Sequence, residues 1–200
     1  MKGLKKLNVM AFAAFLLMAS GCRDVAVPKP KGHFRIDLPE KKYVRLRDQH
    51  EKPGMPFSFE FPEYGILSFE KERADDQGWF NIEFPAYRAK IYLTYKEINN
   101  NFSSLMEQTY RMNVRNHMAK ADAINEQAFN NQGDRVFGIL YDLKGNTATA
   151  VQFYATDSVK HYLRGSLYFS AEPDADSLAP VIEFFRKDII HLIETLEWGM

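Results

Sequence analysis

Residues 135–170 read RVFGILYDLKGNTATAVQFYATDSVKHYLRGSLYFS, and this stretch predicts a three-stranded antiparallel meander. Two short connections at 144–146 and 157–160 supply the Gly, Asn, Asp and Ser that tight turns favour. Because such turns return the chain beside itself, the strands on either side must pair antiparallel. The three strands are rich in β-branched and aromatic residues and cover 135–143, 147–156 and 161–170.

The same kind of pattern continues outward from the meander. Upstream of it, the sequence predicts a weaker strand at 123–130 and four short strands at 57–61, 66–69, 79–84 and 90–95. Apolar residues at helical spacing predict one amphipathic helix over 102–120 and a second over 177–198. The predicted fold class is α+β, with a mostly antiparallel sheet of hairpins and a meander and two amphipathic helices packed on it. Residues 53–200 would form this single domain.

The composition excludes some classes of protein. The chain has 200 residues, no formal net charge, 46% hydrophobic and 14% aromatic residues, so neither a disordered chain nor a strongly basic nucleic-acid binder is expected. The zero net charge is a sum over segments of opposite charge. Residues 23–52 carry nine basic against five acidic side chains, whereas residues 53–200 carry 14 basic against 21 acidic ones, giving +4 and −7.

Residues 1–21 predict a secretory signal peptide. Three lysines precede an apolar run that is too short to span about 30 Å of hydrocarbon, and small residues follow it. Cys22, the single cysteine, comes next, where it resembles the lipidated cysteine in the lipobox of bacterial lipoproteins. This resemblance implies that Cys22 carries diacylglycerol and an N-acyl chain such as palmitate, with no other cofactor. The alternative is ordinary signal cleavage beside an incidental cysteine.

Residues 22–52 predict a proline-rich basic arm between the anchor and the domain. X-Pro pairs at Pro28 and Pro30 favour an extended chain. Three partners for its positive charge stay open: anionic headgroups, at roughly 1 kcal/mol per cation, the acidic domain of the same chain, or a partner protein. The candidate contact residues are the basic side chains Lys29, Lys31, Arg35, Lys41, Lys42, Arg45 and Arg47.

No pattern in the sequence indicates catalysis. It contains no glycine-rich phosphate loop and no nucleophile elbow, and the five histidines lack metal-ligand spacing. His191 could meet Asp188 or Glu194 on one helical turn, but a charged helix surface accounts for that spacing. His117 falls on the apolar stripe of the first helix, which predicts a partly buried histidine. We therefore expect no enzyme, no catalytic residue and no metal site.

Two serines are candidate modification sites. Ser158, within Asp157-Ser158-Val159, and Ser177, within Asp176-Ser177-Leu178, resemble the Asp-Ser/Thr-apolar acceptor for O-glycosylation on exported proteins of the Bacteroidota. Both tripeptides are also typical of a turn and of a helix cap. The sequence leaves both interpretations open.

Blocks spread over most of the mature chain resemble the gliding-motility lipoprotein D family (GldD) of the Bacteroidota. They read PKPKGHFRIDLPEKKY at 28–43, LKGN at 143–146, VQF at 151–153, KHYLRG at 160–165 and DADSLAPV at 174–181. The resemblance implies a non-catalytic cell-envelope lipoprotein, required for gliding motility and the linked type IX secretion apparatus, which stabilises or assembles partner lipoproteins. It also implies lipidation of Cys22 and no small-molecule substrate.

The residues after Cys22 bear on which side of the membrane the protein faces. An acidic run directly after the cysteine marks many surface-exposed lipoproteins of this phylum, and Arg23-Asp24-Val25-Ala26 lacks one. We therefore expect a periplasm-facing protein, anchored in the outer membrane rather than the inner one.

A periplasmic carrier that binds a hydrophobic ligand between the sheet and the helices is the alternative function. Aromatic residues in the predicted strands suggest it, namely Trp79, Phe80, Tyr92, Tyr154, Tyr162 and Tyr168. A deep apolar cavity would favour the carrier, and a filled core would oppose it.

Overall fold

The computed structural model describes residues 36–46, 55–69 and 78–199, all within one compact unit that spans residues 35–200. The described helices are α1 (Phe102–Tyr110), which a π-helical turn over Arg111–Arg115 continues, and α2 (Ala175–Glu194), with a short 3-10 turn at Pro85–Tyr87. The described strands are β1 (Tyr43–Arg45), β2 (Phe57–Ser58), β3 (Glu60–Pro62), β4 (Ile66–Phe69), β5 (Trp79–Phe84), β6 (Ala89–Glu97), β7 (Ala123–Asn131), β8 (Val136–Lys144), β9 (Thr149–Thr156), β10 (His161–Phe169) and β11 (Glu197–Trp198).

The main sheet has seven strands in the order β4-β5-β6-β10-β9-β8-β7, and all neighbours are antiparallel. The predicted meander is confirmed as β8-β9-β10, and β7 extends it by one strand. β10 joins this half of the sheet to β6 in the other half. The α+β fold class predicted from the sequence is confirmed.

The two helices cover opposite faces of the main sheet. Side chains alternate along β10, so that Leu163 and Leu167 belong to the larger core with α2, whereas Tyr162 belongs to a smaller core with α1. Phe185 and Ile189 of α2 are fully buried in the larger core. The unit therefore has three layers, and both faces of the central strands are covered.

The sequence predicts that residues 57–61 and 66–69 are two strands joined across 62–65, and the structure pairs them differently. Residues 57–61 and 66–69 do not form a hairpin, because β2 pairs with β11, β3 pairs with β1, and β4 pairs with β5. Phe57, Phe59 and Phe61 are all buried, and they pack in the larger core under α2. Because these three side chains are buried in the larger core, residues 57–61 do not form an edge strand of the main sheet.

Both predicted helices end earlier than expected. The second ends at Glu194 because Glu197–Trp198 pairs with β2, which keeps Leu196 fully buried. The first leaves α-helical geometry at Tyr110, where the π-helical turn inserts an extra residue per turn. This turn buries Asn113 and Val114 against the sheet.

Part of the predicted arm is built into the domain. Residues 36–46 belong to the same compact unit as the sheet, and β1 pairs with β3 along Tyr43–Arg45. Leu46 is buried in the larger core. The unit thus extends before residue 53, where the domain was predicted to begin, because this segment finds a strand partner and a core position.

Candidate functional site

The candidate residues of the arm fall into two groups. The signal peptide 1–21, the anchor Cys22 and the basic residues Lys29, Lys31, Arg35 and Arg47 lie outside the described residues. Lys41, Lys42 and Arg45 lie within them. Of these three, Lys41 and Arg45 contact the domain, whereas Lys42 is exposed and lies 3.5 Å from Glu40.

Lys41 is held by a buried carboxylate on α2. Its Nζ lies 2.6 Å from Asp188 Oδ1, donates to the carbonyl oxygen of Phe184 at 2.8 Å and stands 3.3 Å from the centroid of that phenyl ring. Tyr43 and Tyr64 donate their hydroxyls to the two oxygens of Asp188 at 2.9 and 2.6 Å. We call Lys41, Tyr43, Tyr64 and Asp188 the arm latch.

Burial dominates the electrostatics of the arm latch. Burial, then the hydrogen bond to Asp188, raises the pKa of both Tyr43 and Tyr64, so both stay protonated donors at neutral pH. Burial also lowers the pKa of Lys41, against the opposing pull of Asp188. The carboxylate side chain is 0% exposed, so its three donors replace the water that it loses. The arm latch is therefore a structural contact that fixes residues 41–43 of the arm on α2.

A second polar cluster lies beside the arm latch. The ring of His191 stacks on Tyr43 with centroids 3.7 Å apart, and its Nε2 lies 2.8 Å from Glu60. Arg45 lies 3.0 Å from Glu197 and 3.5 Å from Glu60. His191 thus bonds across to β3, whereas the sequence favoured a charged helix surface, with Asp188 and Glu194 as possible neighbours. Asp188 does not pair with His191 because its buried carboxylate already accepts from Lys41, Tyr43 and Tyr64.

Stability should depend on the ionisation of Glu60. The hydrogen bond from His191, followed by the charges of His191 and Arg45, lowers the pKa of Glu60. A carboxylate whose folded pKa is depressed stabilises the fold above its unfolded pKa of about 4.3, and that contribution is lost as the pH falls through the folded pKa. We expect Glu60→Gln to make the free energy of unfolding less sensitive to pH below about 5. Urea unfolding across this range measures it, with the exposed Glu194→Gln as the matched control. Equal acid sensitivity in Glu60→Gln and the parent would contradict the assignment.

The remaining candidates lie at the surface or in half-buried positions. Ser158 is exposed at φ 66° in a turn, where the Asp157 carboxylate accepts the backbone N–H groups of residues 159–161. Ser177 is exposed in the first turn of α2, and its hydroxyl donates to the capping Asp174. His117 is half-buried, and burial followed by the charge of Arg164 lowers its pKa.

The described residues contain neither a metal-binding cluster nor a membrane-spanning helix. Across residues 36–46, 55–69 and 78–199, no group of three or more His, Cys, Asp or Glu side chains is placed to bind a metal ion. Over the same ranges, no helix combines the length and the apolar composition needed to cross a bilayer.

A cavity of about 400 Å³ lies between the main sheet and α1. Its floor is the face of β5, β6 and β10 that α1 covers, and its roof is α1 with the first part of the π-helical turn. Apolar atoms make up most of the surface of the walls, although half of the lining residues are polar, and Trp79 and Tyr92 are each 41% exposed. Of the aromatic residues that suggested a carrier, those lining this cavity are Trp79, Tyr92, Tyr162 and Tyr168.

Arg164 of β10 places a guanidinium in the floor of this cavity. Its Nε donates to Asn113 Oδ1 at 3.0 Å, and its Nη2 donates to Gln152 Oε1 at 2.9 Å. Among the described residues, no carboxylate lies within 4.0 Å of it. Burial lowers the pKa of Arg164, and the nearby Tyr168 and Tyr162 partly offset this. The cavity therefore combines apolar walls with a cation whose two acceptors among the described residues are neutral amide oxygens.

Tyr162 extends the polar floor of the cavity. Its hydroxyl hydrogen-bonds to Thr109 of α1, and burial raises its pKa to about 12. The side chain therefore stays a neutral donor or acceptor, and the net charge at this end of the cavity comes from Arg164 and from Lys96 on β6.

The chain was compared with known proteins. The family model described as gliding motility lipoprotein GldD matches residues 23–198. No curated protein sequence matches the chain. Among solved structures, the solution structure of cyanobacterial PsbP (CyanoP) from a Synechocystis species matches with a TM-score of 0.45 and 12% sequence identity, over 90% of this chain and 98% of that one.

Proposed function

The chain belongs to the gliding motility lipoprotein GldD family, and from this premise we propose how it acts. As a member of this lipoprotein family it is a membrane-anchored protein of the cell envelope. We propose that it is required for gliding motility and for the linked type IX secretion apparatus. It acts without catalysis, by stabilising or assembling other lipoproteins of that apparatus. It faces the periplasm from the outer membrane.

The extent of the family match carries this proposal. The match runs from residue 23 to residue 198, so it includes the proline-rich basic arm and every described strand and helix through β11. The family match therefore covers both the arm and the domain. The arm latch gives this a physical basis, because Lys41 and Tyr43, at the described end of the arm, contact Asp188 of α2.

The sheet edges offer surfaces on which a partner could assemble. In the described part of the chain, the nine-residue β7 pairs with β8 alone, and most of its side chains are exposed. At the opposite edge, β4 pairs only with β5 within the same ranges, and Ile66 is 58% exposed. Along β7, the backbone groups that do not bond to β8 have no strand partner among the described residues, and such an edge can take up a strand of another protein.

Photocrosslinking in intact cells tests the assembly proposal. A photoreactive amino acid replaces Asn125 on β7 or Ile66 on β4, with the exposed Glu183 on α2 as the control position. We expect an edge position, and not Glu183, to capture a lipoprotein of the gliding or type IX secretion apparatus, identified by mass spectrometry. Failure of both edge positions to capture any such component, in cells that still glide, would contradict the proposal.

We also propose a second candidate function, the carrier of a hydrophobic ligand, because of the cavity under α1. Its volume of about 400 Å³ falls in the lower part of the range of about 300–1,000 Å³ for small-molecule sites. Native mass spectrometry of protein purified from its own cells, followed by denaturation, tests this candidate. We expect a lipophilic species that is released on unfolding. Protein that carries only its covalent lipid would contradict it.

A further inference from the structure

We propose that the cavity under α1 binds a small amphiphile with a carboxylate head, and that Arg164 pairs with this carboxylate. The inference rests on the carrier function and adds the chemical class of the ligand. It depends on three observations, which concern the hydrogen bonds of Arg164, the charges around the cavity and the apolar walls.

The guanidinium has unused donors. Arginine carries five N–H groups in a planar fork, and the described structure gives Arg164 two acceptors, Asn113 Oδ1 and Gln152 Oε1. Both acceptors are neutral amide oxygens. Arg164 is partly buried, so its charge is only partly solvated, and a carboxylate is the partner that matches the fork with two parallel hydrogen bonds. The free N–H groups on Arg164 therefore suit a carboxylate entering the cavity.

The two amides fix the direction of the fork. Asn113 and Gln152 are both 0% exposed, and Gln152 Oε1 also accepts from the Ser166 hydroxyl at 3.2 Å. Their amide nitrogens find no acceptor among the described residues. Turning either amide over would direct an N–H₂ group at the guanidinium, so the oxygens must face Arg164. The polar groups around the guanidinium thus provide more donors than acceptors.

The charges around the cavity also favour an anion. Lys96 is the second charged residue among the described lining residues, and none of these is an aspartate or a glutamate. This contrasts with the excess of seven acidic over basic residues in 53–200. A site lined by cations in an otherwise acidic domain raises the local concentration of anionic ligands.

The apolar walls of the cavity indicate that the rest of the ligand is an apolar tail. Leu105 and Met112 line the roof, and the rings of Trp79 and Tyr92 stand at the exposed rim. Tyr92 packs edge to face on Tyr168, with ring centroids 5.4 Å apart. An apolar tail can bury surface against these side chains at about 25 cal/mol per Å². The small volume favours a medium-chain carboxylate over a lipid with two chains.

The intrinsic fluorescence of Trp79 can report binding. The chain has two tryptophans, and Trp198 lies on the other face of the sheet, stacked on His161 at 5.2 Å. The test protein is the mature chain from residue 22 with Cys22→Ser and Trp198→Phe, so that Trp79 is its single tryptophan and it carries no lipid. Decanoate and 1-decanol, both below the concentrations at which they aggregate, are the probes.

We expect decanoate to change the Trp79 emission saturably and to bind roughly tenfold or more tightly than 1-decanol, in line with a charge-assisted hydrogen bond. Arg164→Gln should abolish this preference and leave the affinity for 1-decanol within about threefold. Arg164→Lys should retain part of the preference, because it keeps the charge and loses the fork. Arg88→Gln, the same change at an exposed position, should bind as the parent does.

The outcomes separate the ligand class from the carrier function. Equal affinity for decanoate and 1-decanol in the parent would overturn the role of Arg164 and leave a carrier of neutral ligands. Binding of neither probe, by a protein whose circular dichroism and unfolding show that it is folded, would overturn both. If Arg164→Gln does not fold, the Arg164→Lys variant and the comparison of decanoate with 1-decanol in the parent still test the role of Arg164.

Discussion

Asp188→Ala is expected to lower the free energy of unfolding by about 3–5 kcal/mol, the range for removing one partner of a buried ion pair. The carboxylate is 0% exposed, and its removal leaves the Lys41 ammonium and two tyrosine hydroxyls without their acceptor. Urea unfolding of the mature chain at neutral pH measures the loss. We also expect trypsin to cut the chain faster near Lys41 and Arg45, because the arm latch holds this segment on α2.

Two further variants make this prediction specific. Glu183→Ala removes an exposed carboxylate 3.9 Å from Lys187 on the same helix, and should cost less than about 0.5 kcal/mol. Replacing both partners, as Lys41→Met with Asp188→Leu, should be less destabilising than Asp188→Leu alone, since no unpaired charge is left. If Asp188→Ala costs no more than Glu183→Ala, the arm latch does not stabilise the domain.

Cys22→Ser is expected to move the protein from the membrane fraction to the soluble fraction and to abolish gliding. Each buried methylene of an acyl chain contributes about 0.8 kcal/mol to membrane binding, so the loss of every chain removes the durable anchor. Metabolic labelling of cells with an acyl-chain analogue, followed by fractionation, measures both the lipid and its effect. The label should be absent from the variant.

Ser20→Ala is the matched control for this experiment. It changes a neighbouring small residue of the signal peptide and keeps Cys22, so label and membrane location should persist. Lipid uptake by the Cys22→Ser protein would show that the anchor lies elsewhere. An unlabelled parent would favour the ordinary signal peptide and contradict the lipobox assignment.

The meander was predictable because its information is local. Residues 144–146 form a turn in which Gly145 takes φ +90°, a conformation that glycine adopts easily, and the strands on either side are rich in β-branched and aromatic residues. Pairing between distant segments was not predictable in the same way. Phe57 pairs with Trp198 across most of the chain, and no local pattern identifies such a partner.

Of the two polar groups that matter most, Asp188 and Arg164, only Asp188 is visible in the sequence as an exception to a pattern. Phe185, Ile189 and Leu192 form the buried stripe of α2, and Asp188 falls on that stripe, where a carboxylate is unexpected. Arg164 sits in the middle of a strand between Tyr162 and Ser166, on a face that could have met water. Only the position of α1 shows that this face is covered. The sequence could therefore mark Asp188 as unusual, but it could not supply the partners of either residue.

Deletion of the gene that encodes this chain tests the central claim, that this lipoprotein supports the gliding and type IX secretion lipoproteins. Quantitative mass spectrometry of the cell envelope, with gliding scored in the same cultures, is the measurement. We predict that lipoproteins of this apparatus fall in abundance and that gliding stops, and that the parent chain, but not Cys22→Ser, restores both. Unchanged amounts of these lipoproteins in cells that still glide would contradict the account.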